Sequence, residues 1–233
     1  MTKKLIILLA MLSSLMCCWG VKPGTVSILG DSYSTFENYV EPDTNYLWYF
    51  STKIDTTRTD VHDVEQTWWK QFLADNGLAL EKNNSFSGST ICNTGYRGED
   101  YSGRSFITRM DRLGDPALII IFGATNDFWA KVPFGEDKDS LFTDADLYTF
   151  RPALSLLLQS VPQLYPDAKL CFVLNDSITG EFRQAILDKC RQYGVDCLEL
   201  KDIKKRNGHP DSKGMAEISR QLTQFIKDND YKL

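Results

Sequence analysis

Five short apolar runs, rich in Val, Ile, Leu and Phe and separated by longer segments, constrain this chain more than any other feature. They are Thr25 to Leu29, Leu78 to Asn83, Ala117 to Phe122, Lys169 to Leu174 and Val195 to Leu200. Runs of this kind read as strands buried on both faces, as in a parallel sheet, and the segments between them supply the covering helices. Helices are expected near Val64 to Asn76, Ser102 to Leu113, Ala145 to Leu164, Thr179 to Tyr193 and Ser212 to Asp228. The fold class is therefore α/β, a three-layer α/β/α sandwich around a five-stranded parallel sheet. Pro152 in the third of these helices removes one backbone donor, which is tolerated early in a helix or as a kink. The 233 residues suffice for one such core, and no repeat or linker marks a second domain.

In open α/β sheets the ligand crevice lies beyond the carboxyl ends of the strands. Four polar groups follow apolar runs: Gly30-Asp31-Ser32-Tyr33-Ser34, Ser85-Phe86-Ser87-Gly88, Gly123-Ala124-Thr125-Asn126-Asp127 and, after the last run, Gly208-His209-Pro210. A serine hydroxyl needs a base to take its proton, and a tetrahedral oxyanion needs donors already aimed at it. Ser32 can be that nucleophile, His209 the base, and the Gly88 backbone N–H and Asn126 amide the donors. Singly, each has a plainer reading: a turn glycine, an asparagine capping a helix, a histidine in a turn. Their order, placement and chemical type agree at four separate places.

The blocks GDSYS at 30 to 34, SFSG at 85 to 88, GATND at 123 to 127 and GHP at 208 to 210 resemble those of the SGNH (GDSL-type) hydrolase family, over nearly all of residues 21–233. The resemblance implies a flavodoxin-like sandwich and a serine esterase that works through an acyl-serine without cofactor or metal. Ser32 would attack, His209 would shuttle the proton, and the backbone N–H groups of Ser32 and Gly88 with the Asn126 side chain would form the oxyanion hole. One position departs from the pattern. The family's acid, three residues before the histidine, is here Arg206, which cannot accept the imidazole proton. Asp202 or a backbone carbonyl is expected to orient His209 instead, whereas Asp211 suits the cap of the last helix.

Other residues bear on substrate and location. Phe128 and Trp129 directly follow the Asn126 block and are expected to border the crevice; Trp48, in the long aromatic segment Tyr39 to Arg58, is a third candidate for substrate contact. Trp68 and Trp69 open an amphipathic helix and suit the core. Asp31 and Asp127 are expected to satisfy backbone N–H groups, and His62 to sit in a polar helix entry rather than a second site. At the N-terminus, Lys3 and Lys4 precede the apolar run Leu5 to Met16, too short to span a membrane but suited to a secretory signal cleaved after Gly20. A lipoprotein signal is the alternative, which would add a membrane anchor. Export would let Cys92, Cys171, Cys190 and Cys197 pair as disulfides or stay as buried thiols. No C-x-x-C pair or histidine cluster suggests metal, and at net charge −5 with scattered cations nucleic acid is not an expected partner. An ester on a small molecule or polysaccharide is expected, O-acetylated carbohydrate in particular. A lipid or thioester acyl hydrolase is the second reading, and a carbohydrate-binding protein on a weakened hydrolase fold the third.

Overall fold

A computed structural model describes residues 22–233, and the expected leader lies outside them. Each apolar run lies on a strand: β1 (Lys22–Gly30), β2 (Ala79–Ser85), β3 (Pro116–Phe122), β4 (Lys169–Leu174) and β5 (Asp196–Glu199). All neighbours pair in parallel in the order β2-β1-β3-β4-β5. The order reverses beside β1, so β2 and β3 flank it and a crevice opens where their carboxyl ends diverge. Gly30 at the end of β1 pairs with Ser85 on one side and Phe122 on the other. The loops carrying Ser32, Gly88 and Asn126 therefore leave the sheet at one level.

Strand alternation sorts the apolar residues into two layers. From β3, Ile119 and Ile121 join Leu29, Phe172 and Leu174 under helices α4 (Phe150–Leu164) and α5 (Gly180–Tyr193). Leu118, Ile120 and Phe122 face the other way, with Val26, Ile28 and Val173, under α1 (Trp68–Asn76) and α6 (Ser212–Asp228). Each such fully buried aliphatic side chain stabilises the fold by about 1.5–3 kcal/mol, which is why the doubly buried runs dominate the architecture. Trp68 and Trp69 are core residues, 0% and 1% exposed.

The helices differ from expectation where polar contacts compete with helical hydrogen bonds. The expected helix from Val64 breaks at Thr67, whose extended backbone and hydroxyl cap α1. The preceding residues form a separate turn, Val64–Gln66, closed by a capping box between Asp63 and Gln66. Of the expected helix Ser102 to Leu113 only α2 (Phe106–Arg109) forms. Leu113 instead receives Ser27 Oγ on its carbonyl (2.6 Å) and gives its N–H to Tyr165 (3.0 Å). The third expected helix starts at Phe150, which puts Pro152 in the first turn, where its missing N–H has no intrahelical partner to lose. A short helix not anticipated, α3 (Thr125–Ala130), follows β3 and carries Asn126. Near the C-terminus, a two-residue hairpin joins β6 (Lys205–Arg206) to β7 (His209–Pro210), and Asp211 caps α6 by accepting from the Gly214 N–H (2.8 Å).

Candidate active site

Ser32 begins a single 3-10 turn, Ser32–Ser34, immediately beyond β1. The Asp31 carboxylate caps this turn through the Tyr33 N–H (3.0 Å), and the Trp68 indole holds the Tyr33 carbonyl (3.1 Å) from the core. Asp31 is fully buried, and burial pushes its carboxyl up to about 7 against the Tyr33 hydrogen bond. Its second oxygen has no hydrogen-bond partner among the described residues.

His209 is brought to Ser32 by the hairpin. Asn207 and Gly208 form its two-residue turn with φ of +49° and +76°, the conformation that Asn-Gly pairs favour because both residues tolerate positive φ. The turn carries the Asn207 carbonyl to His209 Nδ1 (3.0 Å), while Nε2 meets Ser32 Oγ (2.9 Å). A carbonyl can only accept, so Nδ1 carries the ring hydrogen and Nε2 is left to accept from the serine hydroxyl. Two tyrosines fix the hairpin, Tyr33 OH donating to the Gly208 carbonyl and Tyr49 OH to the Pro210 carbonyl (2.8 Å). Asn207 ties the turn to the long loop by donating to the Thr57 and Arg58 carbonyls (3.0 and 3.1 Å).

The imidazole is enclosed by aromatic rings. Trp48 stacks face to face on it, 3.4 Å between centroids and 6° from parallel, and the Arg58 guanidinium lies 3.7 Å over the Trp48 ring. Trp129 approaches edge-on at 5.7 Å. Burial lowers the His209 pKa to about 4; the Asn207 carbonyl opposes that shift and Arg58 adds to it.

The opposite wall is the loop after β2. Gly88 has φ of +82°, and its N–H, like that of Ser32, has no acceptor among the described residues. Asn126 gives one amide hydrogen to the Ser89 carbonyl (3.0 Å) and accepts from Tyr96 OH (2.8 Å), which leaves its second amide hydrogen free. Asp127 secures the same loop by accepting from the Ile91 N–H (2.8 Å) and the Cys92 N–H (3.3 Å), and burial pushes its carboxyl up to about 7. Arg109, 2% exposed, joins the ends of β1 and β2 to the loop after β2. It donates to the Gly30 carbonyl (3.2 Å), Ser89 Oγ (3.0 Å) and the Asn84 carbonyl, with Nε on the Arg104 carbonyl (2.9 Å).

The structure thus brings Ser32, His209, Gly88 and Asn126 to one edge, with Trp48 and Trp129 against the imidazole. Two expected residues lie elsewhere. Asp202 is exposed on a left-handed turn (φ +55°) and makes no hydrogen bond to His209; the carbonyl of Asn207 occupies the position for which it was a candidate. Phe128 turns away from the crevice and packs on Phe182 of α5 (5.9 Å), because α3 directs it toward the other core layer. Arg206 lies opposite His209 in the hairpin and donates to the Thr56 carbonyl (2.9 Å). Asp31 and Asp127 satisfy backbone N–H groups as expected, and His62 sits at the entry to the capped turn, its N–H on Gln66 (2.7 Å). Cys92, Cys171, Cys190 and Cys197 are free thiols.

The family described as GDSL-like lipase/acylhydrolase matches residues 24–226. Among solved structures, a protein assigned as a GDSL-like lipase from Bacteroides ovatus is 51% identical, covers 89% of this chain and 99% of its own, and superposes with a TM-score of 0.86. A second of that assignment, from Bacteroides uniformis, is 46% identical over 88% of this chain and 96% of its own, also at 0.86. A family two carbohydrate esterase from Clostridium thermocellum, 16% identical, shares the fold at a TM-score of 0.59 over 92% of this chain and 66% of its own. No curated protein matches the chain.

Proposed function

Because the chain belongs to the GDSL-like lipase/acylhydrolase family, and is thus an SGNH-type serine hydrolase acting on ester bonds, we propose that Ser32 is its nucleophile and His209 its base. The observation that carries this is the 2.9 Å contact between Ser32 Oγ and His209 Nε2, with Nδ1 anchored on the Asn207 carbonyl. The machinery is a dyad, with a main-chain oxygen where the family's acid would stand.

Ser32 Oγ forms a bond to the ester carbonyl carbon while its proton passes to Nε2, and the carbonyl π electrons move onto oxygen. The resulting oxyanion is met by the N–H groups of Ser32 and Gly88 and by the free amide hydrogen of Asn126. Collapse breaks the bond to the alcohol, which leaves with the proton from Nε2. Water then gives a proton to Nε2 and attacks the acyl-serine, releasing the carboxylic acid and restoring Ser32. A carbonyl dipole orients the imidazole but offsets less of the imidazolium charge than a carboxylate does, so the dyad trades base strength for neutrality.

The substrate we propose is an O-acetylated carbohydrate, acted on outside the cytoplasm. Support comes from Trp129, edge-on at the imidazole, and from Tyr46, 63% exposed in the same loop as Trp48, whose rings suit contact with sugar. The carbohydrate esterase from Clostridium thermocellum gives the fold a precedent in this chemistry. The Lys3-Lys4 and Leu5 to Met16 leader supports export. Hydrolysis of 4-nitrophenyl acetate by wild type and Ser32→Ala tests the core of the reading. A fall of about 10⁴-fold or more is expected, and an unchanged rate removes Ser32 from the chemistry. Comparing acetyl with octanoyl esters then separates the carbohydrate reading, which requires preference for acetyl, from the lipid one.

A further inference from the structure

The ten arginines all lie within the described residues and divide into two sets by partner. Arg112, Arg151, Arg183, Arg191 and Arg220 each pair with a carboxylate. Arg58, Arg97, Arg104, Arg109 and Arg206 form no ion pair among the described residues, and all five lie in segments that build the site. Arg109 braces the strand ends, Arg206 faces His209 across the hairpin and Arg58 lies over the Trp48 that stacks on His209. Arg97 follows Tyr96, which holds Asn126, and the Arg104 carbonyl holds Arg109. A chain of net charge −5 has more carboxylates than cations, so composition does not explain why these arginines lack carboxylate partners. Three nearby acids are engaged elsewhere: Asp55 accepts from Thr57, Asp60 from Ser212, and Asp100 from the Ser102 N–H and Tyr148 OH.

Arg104 has the most telling surroundings. Its guanidinium lies over the Tyr101 ring, 3.5 Å from the centroid, and its N–H groups have no acceptor among the described residues. Stacking covers the face of the cation and leaves its donor edge open, in the plane that suits a bidentate carboxylate. Beside it, 5.8 and 5.6 Å from the guanidinium, are the rings of Tyr46 and Phe86, themselves 5.1 Å apart. Tyr46 is 63% exposed, and its carbonyl receives the Ser87 N–H (2.8 Å), which joins this pair to the loop presenting Gly88. An aromatic platform and an open guanidinium edge thus adjoin the proposed oxyanion loop.

We propose that the esterified glycan is acidic, a uronic-acid unit stacking on Tyr46 and Phe86 with its carboxylate in the fork of Arg104. The inference rests on the carbohydrate-esterase reading above and adds the charge of the sugar. Association is then steered by the positive edge and weakened by salt, because charges at an open surface are screened beyond about 8 Å at physiological ionic strength.

The test compares kcat/KM on O-acetylated oligogalacturonate, O-acetylated xylo-oligosaccharide of matched length and 4-nitrophenyl acetate, for wild type, Arg104→Gln and Arg104→Lys. The acidic glycan is expected to be preferred by wild type and to lose about tenfold in Arg104→Gln, chiefly through KM, as one charge-assisted contact is worth. Nitrophenyl acetate should be unaffected, Arg104→Lys should recover part of the loss, and added NaCl should depress only the acidic substrate. Equal rates on the two glycans in wild type overturn the proposal, as does an Arg104→Gln loss of the same size on nitrophenyl acetate. Preference for an acetylated, sulfated xylan over the uronate, with the same Arg104 dependence, also overturns it. If wild type hydrolyses none of the esters, the esterase reading fails on its own. Calorimetric binding of oligogalacturonate to wild type and Arg104→Gln then decides the subsite separately: Arg104-dependent binding supports it, and no binding ends it.

Discussion

The two walls of the site are built from different materials. The serine and oxyanion wall is held by buried ionisable groups: Asp31 behind Ser32, Asp127 under the loop after β2, and Arg109 joining Gly30, Asn84 and Ser89. The histidine wall is held by neutral groups: the Asn207 carbonyl, two tyrosine hydroxyls and the faces and edges of Trp48 and Trp129. Where negative charge would develop, fixed donors wait with a buried cation behind them. Where positive charge would develop, dipoles and rings surround the imidazole with the Arg58 cation behind Trp48, and burial, with Arg58 adding to it, lowers the His209 pKa to about 4. The site is thus prepared for an oxyanion far more than for an imidazolium.

Replacing Arg109 with Met attacks the charged wall most severely. It leaves Asp31 without its nearby cation and several buried carbonyls without a donor, so a loss of about 3–5 kcal/mol is expected in urea denaturation. A loss below about 1 kcal/mol would show that the brace is dispensable. Asn126→Ala keeps that brace but removes one donor, and kcat should fall about 10²–10³-fold with little change in KM. A rate within a factor of two of wild type would mean that the wall does not meet the oxyanion. The smallest effect probes the neutral wall. The base must be unprotonated to act, so the acid limb of kcat/KM should fall near pH 4, where His209 takes its proton. Trp48→Ala opens the imidazole to water, stabilises its charged form and should move that limb upward toward the ordinary 6.5. An unmoved limb would place the control of His209 elsewhere.

The sheet was legible because strands buried on both faces leave continuous apolar runs, as Leu118 to Phe122 does, and the order of polar blocks after them located Ser32, Gly88, Asn126 and His209. What escaped was set by contacts remote in sequence. Arg109 sits in a mixed polar and apolar stretch that reads as helix, and nothing local reveals that its guanidinium reaches Gly30 and Asn84. Tyr49 and Tyr96 come from irregular loops whose paths are fixed only by tertiary contacts. Phe128 and Trp129 are neighbours in one short helix, and their separation to opposite sides follows from the axis of α3, not from spacing. The turn at Asn207-Gly208 did leave a local signal, since that dipeptide favours a two-residue hairpin. Of the two candidates for orienting His209, Asp202 and a backbone carbonyl, that signal favours the carbonyl.

That hairpin has a consequence for how the protein can change over generations. A carboxylate that steers a histidine can be erased by one altered codon, but a main-chain oxygen belongs to every amino acid. No substitution of the Asn207 side chain deletes the atom that meets Nδ1; only a change in the path of the turn could withdraw it. Position 206 then carries no such duty, and its arginine instead holds the Thr56 carbonyl of the long loop.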